Sequence, residues 1–145
     1  MIDLAAANHT GRELELMLAG KKPLAMFYGE IGELPHEELI PEGQFAPYLN
    51  GGEFVRGETI LEGAFHPIWK RNVRVKYVFF ALKNEAWRIP AMILVLTARR
   101  KAEAPDLTSE RLIGALLGYT EAEIDAQCEQ FLKQYAEIQR LAKQA

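Results

Sequence analysis

Six glutamates and no lysine or arginine lie between residues 23 and 55, whereas residues 63–84 carry five bases and no acid. Carboxylates at that density suit a cationic partner, a metal ion, or acid–base work if two are held at the right separation. Glu30, Glu33, Glu37, Glu38 and Glu42 all offer the group, yet no spacing singles out a pair. The acidic stretch either meets a charged partner or lies across the basic one and neutralises it.

Lys70, Arg71, Arg74 and Lys76 form the opposing cluster, beside Trp69, Tyr77, Phe79 and Phe80. Cations interleaved with aromatics can anchor phosphates and stack on bases. In an extended strand, however, Arg74 and Lys76 share one face while Tyr77 and Phe79 share the other. The aromatics therefore head for a core. Nucleic-acid binding is disfavoured, and a strand with a solvated entrance is expected.

The other chemistries find less support. His9, His36 and His66 lie in different segments, with no spacing of a metal-binding helix or finger, so neither metal nor cofactor is expected. The single thiol, Cys128, falls on the apolar stripe of a helical segment, where it packs as a small apolar group and makes no nucleophile. No nucleophile elbow or phosphate loop is present, and no catalytic residue is assigned. Of the tryptophans, Trp87 in AWRIP is placed to seal the edge of the core, and Trp69 beside Lys70-Arg71 to stand exposed as an interface anchor.

The elements that must position these groups follow from periodicity. Thr10-Gly-Arg-Glu13 reads as a capping box opening a short helix that Gly20 stops. PLAMFYG (23–29) reads as a buried strand, and residues 30–53 as a loop holding at best one helical turn. EFVRGETILEG (53–63) reads as a strand with a bulge at Gly57. Strict alternation makes 73–82 the clearest strand, and good helix formers after Pro90 predict a helix over 90–102. A helix ending at Gly118 and a second capping box, Thr120–Glu123, predict a C-terminal αα-hairpin. Its last helix carries Ile124, Cys128, Phe131, Tyr135, Ile138 and Ala142 as one stripe.

A chain of 145 residues with net charge −3 is expected to bury one core and is no general polyanion binder. One cysteine accords with a reducing, cytoplasmic setting. The longest apolar runs, YVFFAL and AMILVL, are far short of the ~20 residues of a membrane span, so no membrane partner is expected.

FFALKNEAWRIPAMILVL (79–96) and ERLIGALLGYTEAEID (110–125) together resemble the tails of small uncharacterised bacterial proteins. Those share an aromatic strand, an EAWRI-like segment, a helix and a Leu-Leu-Gly-Tyr turn. Pro90 departs from the uninterrupted helix of that pattern. The resemblance implies a bacterial or mobile-element origin and supplies no activity.

The sequence thus predicts a single α+β domain over 1–145: a small antiparallel or mixed sheet, helices on one face, and a C-terminal αα-hairpin. The expected function is non-enzymatic: an interaction or regulatory protein, monomer or weak homodimer, binding a protein partner. Its expected binding residues are Glu33, Glu37 and Glu38 in the acidic loop and Trp69, Lys70, Arg71, Arg74 and Lys76 at the basic edge. The alternative is a small enzyme or small-molecule binder using the loop carboxylates with His36 or His66.

Overall fold

The computed structural model describes residues 9–66, 71–100 and 107–144, with backbone alone at Glu33, residues 63–66 and Arg71. Trp69 and Lys70 lie outside the described residues. In chain order the elements are α1 (Glu13–Leu18), β1 (Leu24–Glu30), α2 (Glu42–Asn50), β2 (Phe54–His66) and β3 (Arg71–Leu82). Then come α3 (Arg88–Arg100), α4 (Leu107–Leu116) and α5 (Glu121–Gln144). The fold is α+β with one antiparallel sheet in the order β1-β3-β2.

β3 is the axis of the molecule. Its alternation sends Tyr77, Phe79 and Ala81 to one face, where Ile89, Met92 and Leu96 of α3 and Ile113 and Leu116 of α4 cover them. Val78 and Phe80 point the other way, against Met17 of α1 and Phe45 of α2. The Phe45 and Phe80 rings stack with centroids 4.1 Å apart. Burying each such ring contributes about 1.5–3 kcal/mol. The strand's first half stays wetter, with Arg74 exposed, as its alternation predicts.

The C-terminal helices take one face of the sheet side, and α1 and α2 close the other. The second layer comes from the stretch expected to be a loop. Phe45, Tyr48 and Leu49 sit at i, i+3 and i+4 and join the cluster around Phe80, so packing holds α2 together despite Pro47 inside it. Three further expectations need correction. α1 begins at Glu13, so its N-cap position falls at Arg12, two residues beyond the Thr10 that the capping-box reading placed there.

Gly57 is not a bulge: it pairs in register with Phe79, and the irregularity falls between Leu61 and Ala64. Its reason is steric, because a Cβ there would lie 2.6 Å from Ile89 Cγ2 of α3. Trp87 is 56% exposed and seals nothing. Its ring carries the Arg88 guanidinium at 4.7 Å, and its indole N–H donates to Glu85. The aliphatic side chains of α3 fill the core at that corner, which leaves the indole outside.

The bulge has its own partner. Arg100, at the end of α3, donates to the carbonyls of Leu61, Glu62 and Val73 at 3.1–3.3 Å, satisfying acceptors there. At the other end, Thr120 Oγ1 accepts from the Glu123 N–H while Glu123 reaches back to the Thr120 N–H, the capping box read from the sequence.

Candidate functional site

The acidic and basic groups are placed very differently. Arg74 and Lys76 stand on β3 opposite β2, and their charges are taken by that strand: Arg74 by Glu62 at 2.8 Å and Lys76 by Glu58 at 3.2 Å. Arg56 adds a two-pronged pair to Glu42 at 2.7 and 2.8 Å and a third bond to Glu58. Hydrogen bonds from Arg56 and then Lys76 hold the Glu58 carboxyl below the usual range, and the bonds that Arg56 donates, to Glu42 above all and then to Glu58, raise its guanidinium further. Among the described residues, Arg74 and Lys76 of the basic edge are thus balanced from β2, and Glu42 of the acidic stretch pairs with Arg56 on β2 instead. Arg71 opens β3, and Glu33 closes the short 3₁₀ turn Ile31–Glu33 after β1.

Glu37 and Glu38 instead front a groove of about 460 Å³. One wall is the entry to α1 (Thr10, Gly11, Glu13 and Leu14), the other the 37–41 segment and the start of α2, and the floor is Met26–Tyr28 of β1 with Phe45. Three consecutive residues of a strand can line one groove only along its edge, since side chains alternate between faces. That edge is the outer one: β1 pairs β3 on its inner side, and among the described residues no strand pairs it on the other. Tyr28, 57% exposed, leans toward Tyr77 across the pair, with ring centroids 5.4 Å apart.

The three carboxylates in the groove differ in duty. Glu37 accepts two bonds from the Gly43 N–H, at 2.9 and 3.2 Å, and so fixes the first turn of α2. Glu13 and Glu38 carry no such backbone bond among the described contacts and face the groove with their charge. Among the described residues that line it there is no lysine, arginine or histidine. His36 shapes the turn instead, accepting from the Glu38 N–H at 3.3 Å.

A second cluster was invisible in the sequence. Lys22 is 2% exposed, its Nζ 2.7 Å from the Leu117 carbonyl and 2.9 Å from His9 Nδ1. The His9 and Tyr119 rings stack at 3.8 Å, and Nζ lies 5.1 Å from the Tyr119 centroid. Burial lowers the Lys22 ammonium to about 8. Burial, then the Lys22 charge, lowers His9 to about 4, and burial raises the Tyr119 phenol. The bonds of Lys22 run inward, to the end of α4. With Arg88, which donates to Ala115 O and Leu116 O, it supplies cations to that helix's last carbonyls. The cluster is a clamp between the approach to β1 and the α4–α5 turn.

Cys128 is buried on α5, as its place in the stripe predicts. Among the described residues no three His, Cys, Asp or Glu side chains converge as metal ligands, and no helix is long and apolar enough to cross a membrane. The chain matches no family model, no curated protein and no solved structure.

Proposed function

We propose that this chain is a non-enzymatic cytoplasmic interaction protein that takes a basic, extended segment of a protein partner along β1. The observation that carries the reading is the groove itself: among the described residues, an edge at Met26–Tyr28 that no strand pairs, flanked by Glu13 and Glu38 and lined by no cation. An added strand would draw affinity from backbone hydrogen bonds and specificity from side chains that alternate toward each wall. Lysine or arginine on that segment would meet the carboxylates, and an apolar residue between them would meet Phe27 and Phe45. Arg74 and Lys76 contribute less to this reading, since both are paired within the hairpin.

The test is fluorescence anisotropy with labelled peptides alternating Lys or Arg with apolar residues, beside the same peptides with Glu replacing the bases. The basic series is expected to bind, more weakly as salt rises, and to slow amide exchange at Met26–Tyr28. Equal and negligible binding of both series at low salt would sink the proposal.

A further inference from the structure

β1 offers the groove only half of its backbone, and the pairing of β3 decides which half. The Leu82 N–H donates to Pro23 O on the β1 side at 3.1 Å, and the Lys83 N–H to Glu53 O on the β2 side at 3.1 Å. Backbone groups alternate along a strand, so those of Phe80 and Val78 turn toward β1, whereas those of Ala81, Phe79 and Tyr77 turn toward β2. With Ala25 opposite Phe80 and Phe27 opposite Val78, the N–H and C=O of Ala25 and Phe27 are taken up by β3. Those of Met26 and Tyr28 point out of the sheet's edge, where no strand among the described residues meets them.

Side chains follow the same count. Residues directly opposite share a face, so Phe27 stands with Val78 toward α1 and α2, its ring centroid 5.6 Å from that of Phe45. Glu13 belongs to α1 and Glu38 adjoins Leu39 of the same layer, so the charge of the groove lies on this side. Tyr28 stands with Tyr77 and Thr59 in a row across the other face. Tyr77 is buried in the middle of that row, whereas Tyr28 at its outer end is exposed. A strand laid along β1 would put one set of its side chains before two carboxylates and the other set beside an open aromatic ring.

Charge selects the occupant. The eight residues before His9 carry one acid and no lysine or arginine, and β1 of a second copy would bring no lysine or arginine either. A basic segment of another protein complements the lining.

We propose that β1 receives this partner in one phase, a proposal that rests on the groove reading above. The partner strand bonds the outward groups of Met26 and Tyr28, turns its bases toward Glu13 and Glu38 on the Phe27 side, and sets an aromatic residue from the alternate positions beside Tyr28. Cross-strand aromatic pairs stabilise a sheet, which makes Tyr28 the residue that determines specificity.

Labelled peptides built on Lys-X-Leu-X-Lys, with both bases on one side of a strand and both X on the other, test it by anisotropy. With X tyrosine they should bind roughly two- to fivefold tighter than with X serine, the usual effect of a cross-strand aromatic pair. Tyr28→Ser should abolish that preference. Bound peptide should slow amide exchange at Met26 and Tyr28 but not at Phe27, whose N–H already serves Val78. Equal binding of the two series, with exchange slowed at Met26 and Tyr28, overturns the part given to Tyr28 and leaves the groove reading intact. A preference that survives Tyr28→Ser overturns that part too, and slowing at Phe27 in place of its neighbours overturns the phase. Failure of both series to bind at low salt overturns the groove reading as well. The comparison of the two series on the wild-type chain decides the matter whether or not the variant folds.

Discussion

Lys22 Nζ donates a 2.7 Å hydrogen bond to the carbonyl of Leu117, tying the approach to β1 to the end of α4. A buried ammonium is costly, and here it is retained because that carbonyl ends a helix and has no partner of its own within it. Lys22→Met keeps the chain's bulk and removes the donor. It is expected to cost about 1–3 kcal/mol in urea unfolding, the range for stranding one buried acceptor.

The same cluster sets the pH dependence. His9 titrates near 4 in the folded chain and near 6.5 when free, so between those values the unfolded chain holds the extra proton. Stability should therefore fall as pH drops from about 6.5 to 4. Solvent screening at this partly exposed ring holds the loss to roughly 1 kcal/mol. For Lys22 the window runs from about 8 to 10.5, and again the unfolded chain binds the extra proton, so stability should rise with pH across it. Thermal melts of wild type and His9→Gln at closely spaced pH values check both; the variant should lose the acid limb and keep the alkaline one.

Gly57 is expected to tolerate no side chain cheaply. A Cβ there meets Ile89 Cγ2 at 2.6 Å, so Gly57→Ala should destabilise by roughly 1–3 kcal/mol, the usual cost of overpacking. Ile89→Ala removes the Cγ2 methyl and relieves the clash. The double variant should lose less stability than the two single losses added, as contacting sites do.

In the groove, Glu38→Gln removes charge outside any helix, whereas Glu13→Gln also takes an acid from the first turn of α1. Each should weaken a basic peptide roughly two- to fivefold, as rim ion pairs do, and flatten the salt dependence. Glu37→Gln serves as contrast. It loosens the bond to the Gly43 N–H, so its effect should show first in stability.

What the sequence disclosed depended on the range of the interactions. The αα-hairpin was legible because Thr120 and Glu123 cap the same turn and the stripe of α5 repeats along one helix. β3 was legible because alternation alone assigns its faces. α2 was not, since Pro47 argues against a helix and the argument for it, Phe45 stacked on Phe80, comes from another element. The exposure of Trp87 is hidden for the same reason: a large apolar residue beside a core reads as part of it, but α3 fills that space first. The Lys22 clamp joins groups up to 110 residues apart, and no local pattern marks it. Of the groove, Glu37 and Glu38 were foreseen from the acidic run, whereas Glu13 reached it only through the fold.

The place of β3 between β1 and β2 has a kinetic consequence. From Tyr77 to Ala81 its amides lie between strands on both edges and under a helical layer on both faces, so no partial opening bares this stretch. Amide protons from Tyr77 to Ala81 should exchange with solvent deuterium only when the whole chain unfolds. Those of the last turns of α5 should exchange by fraying, orders of magnitude sooner. Native-state exchange would thus divide the molecule into a slow centre laid down by β3 and a fast periphery. The centre cannot assemble on the ribosome until Leu82 has cleared the exit tunnel, because β1 has no other described strand to pair with before then.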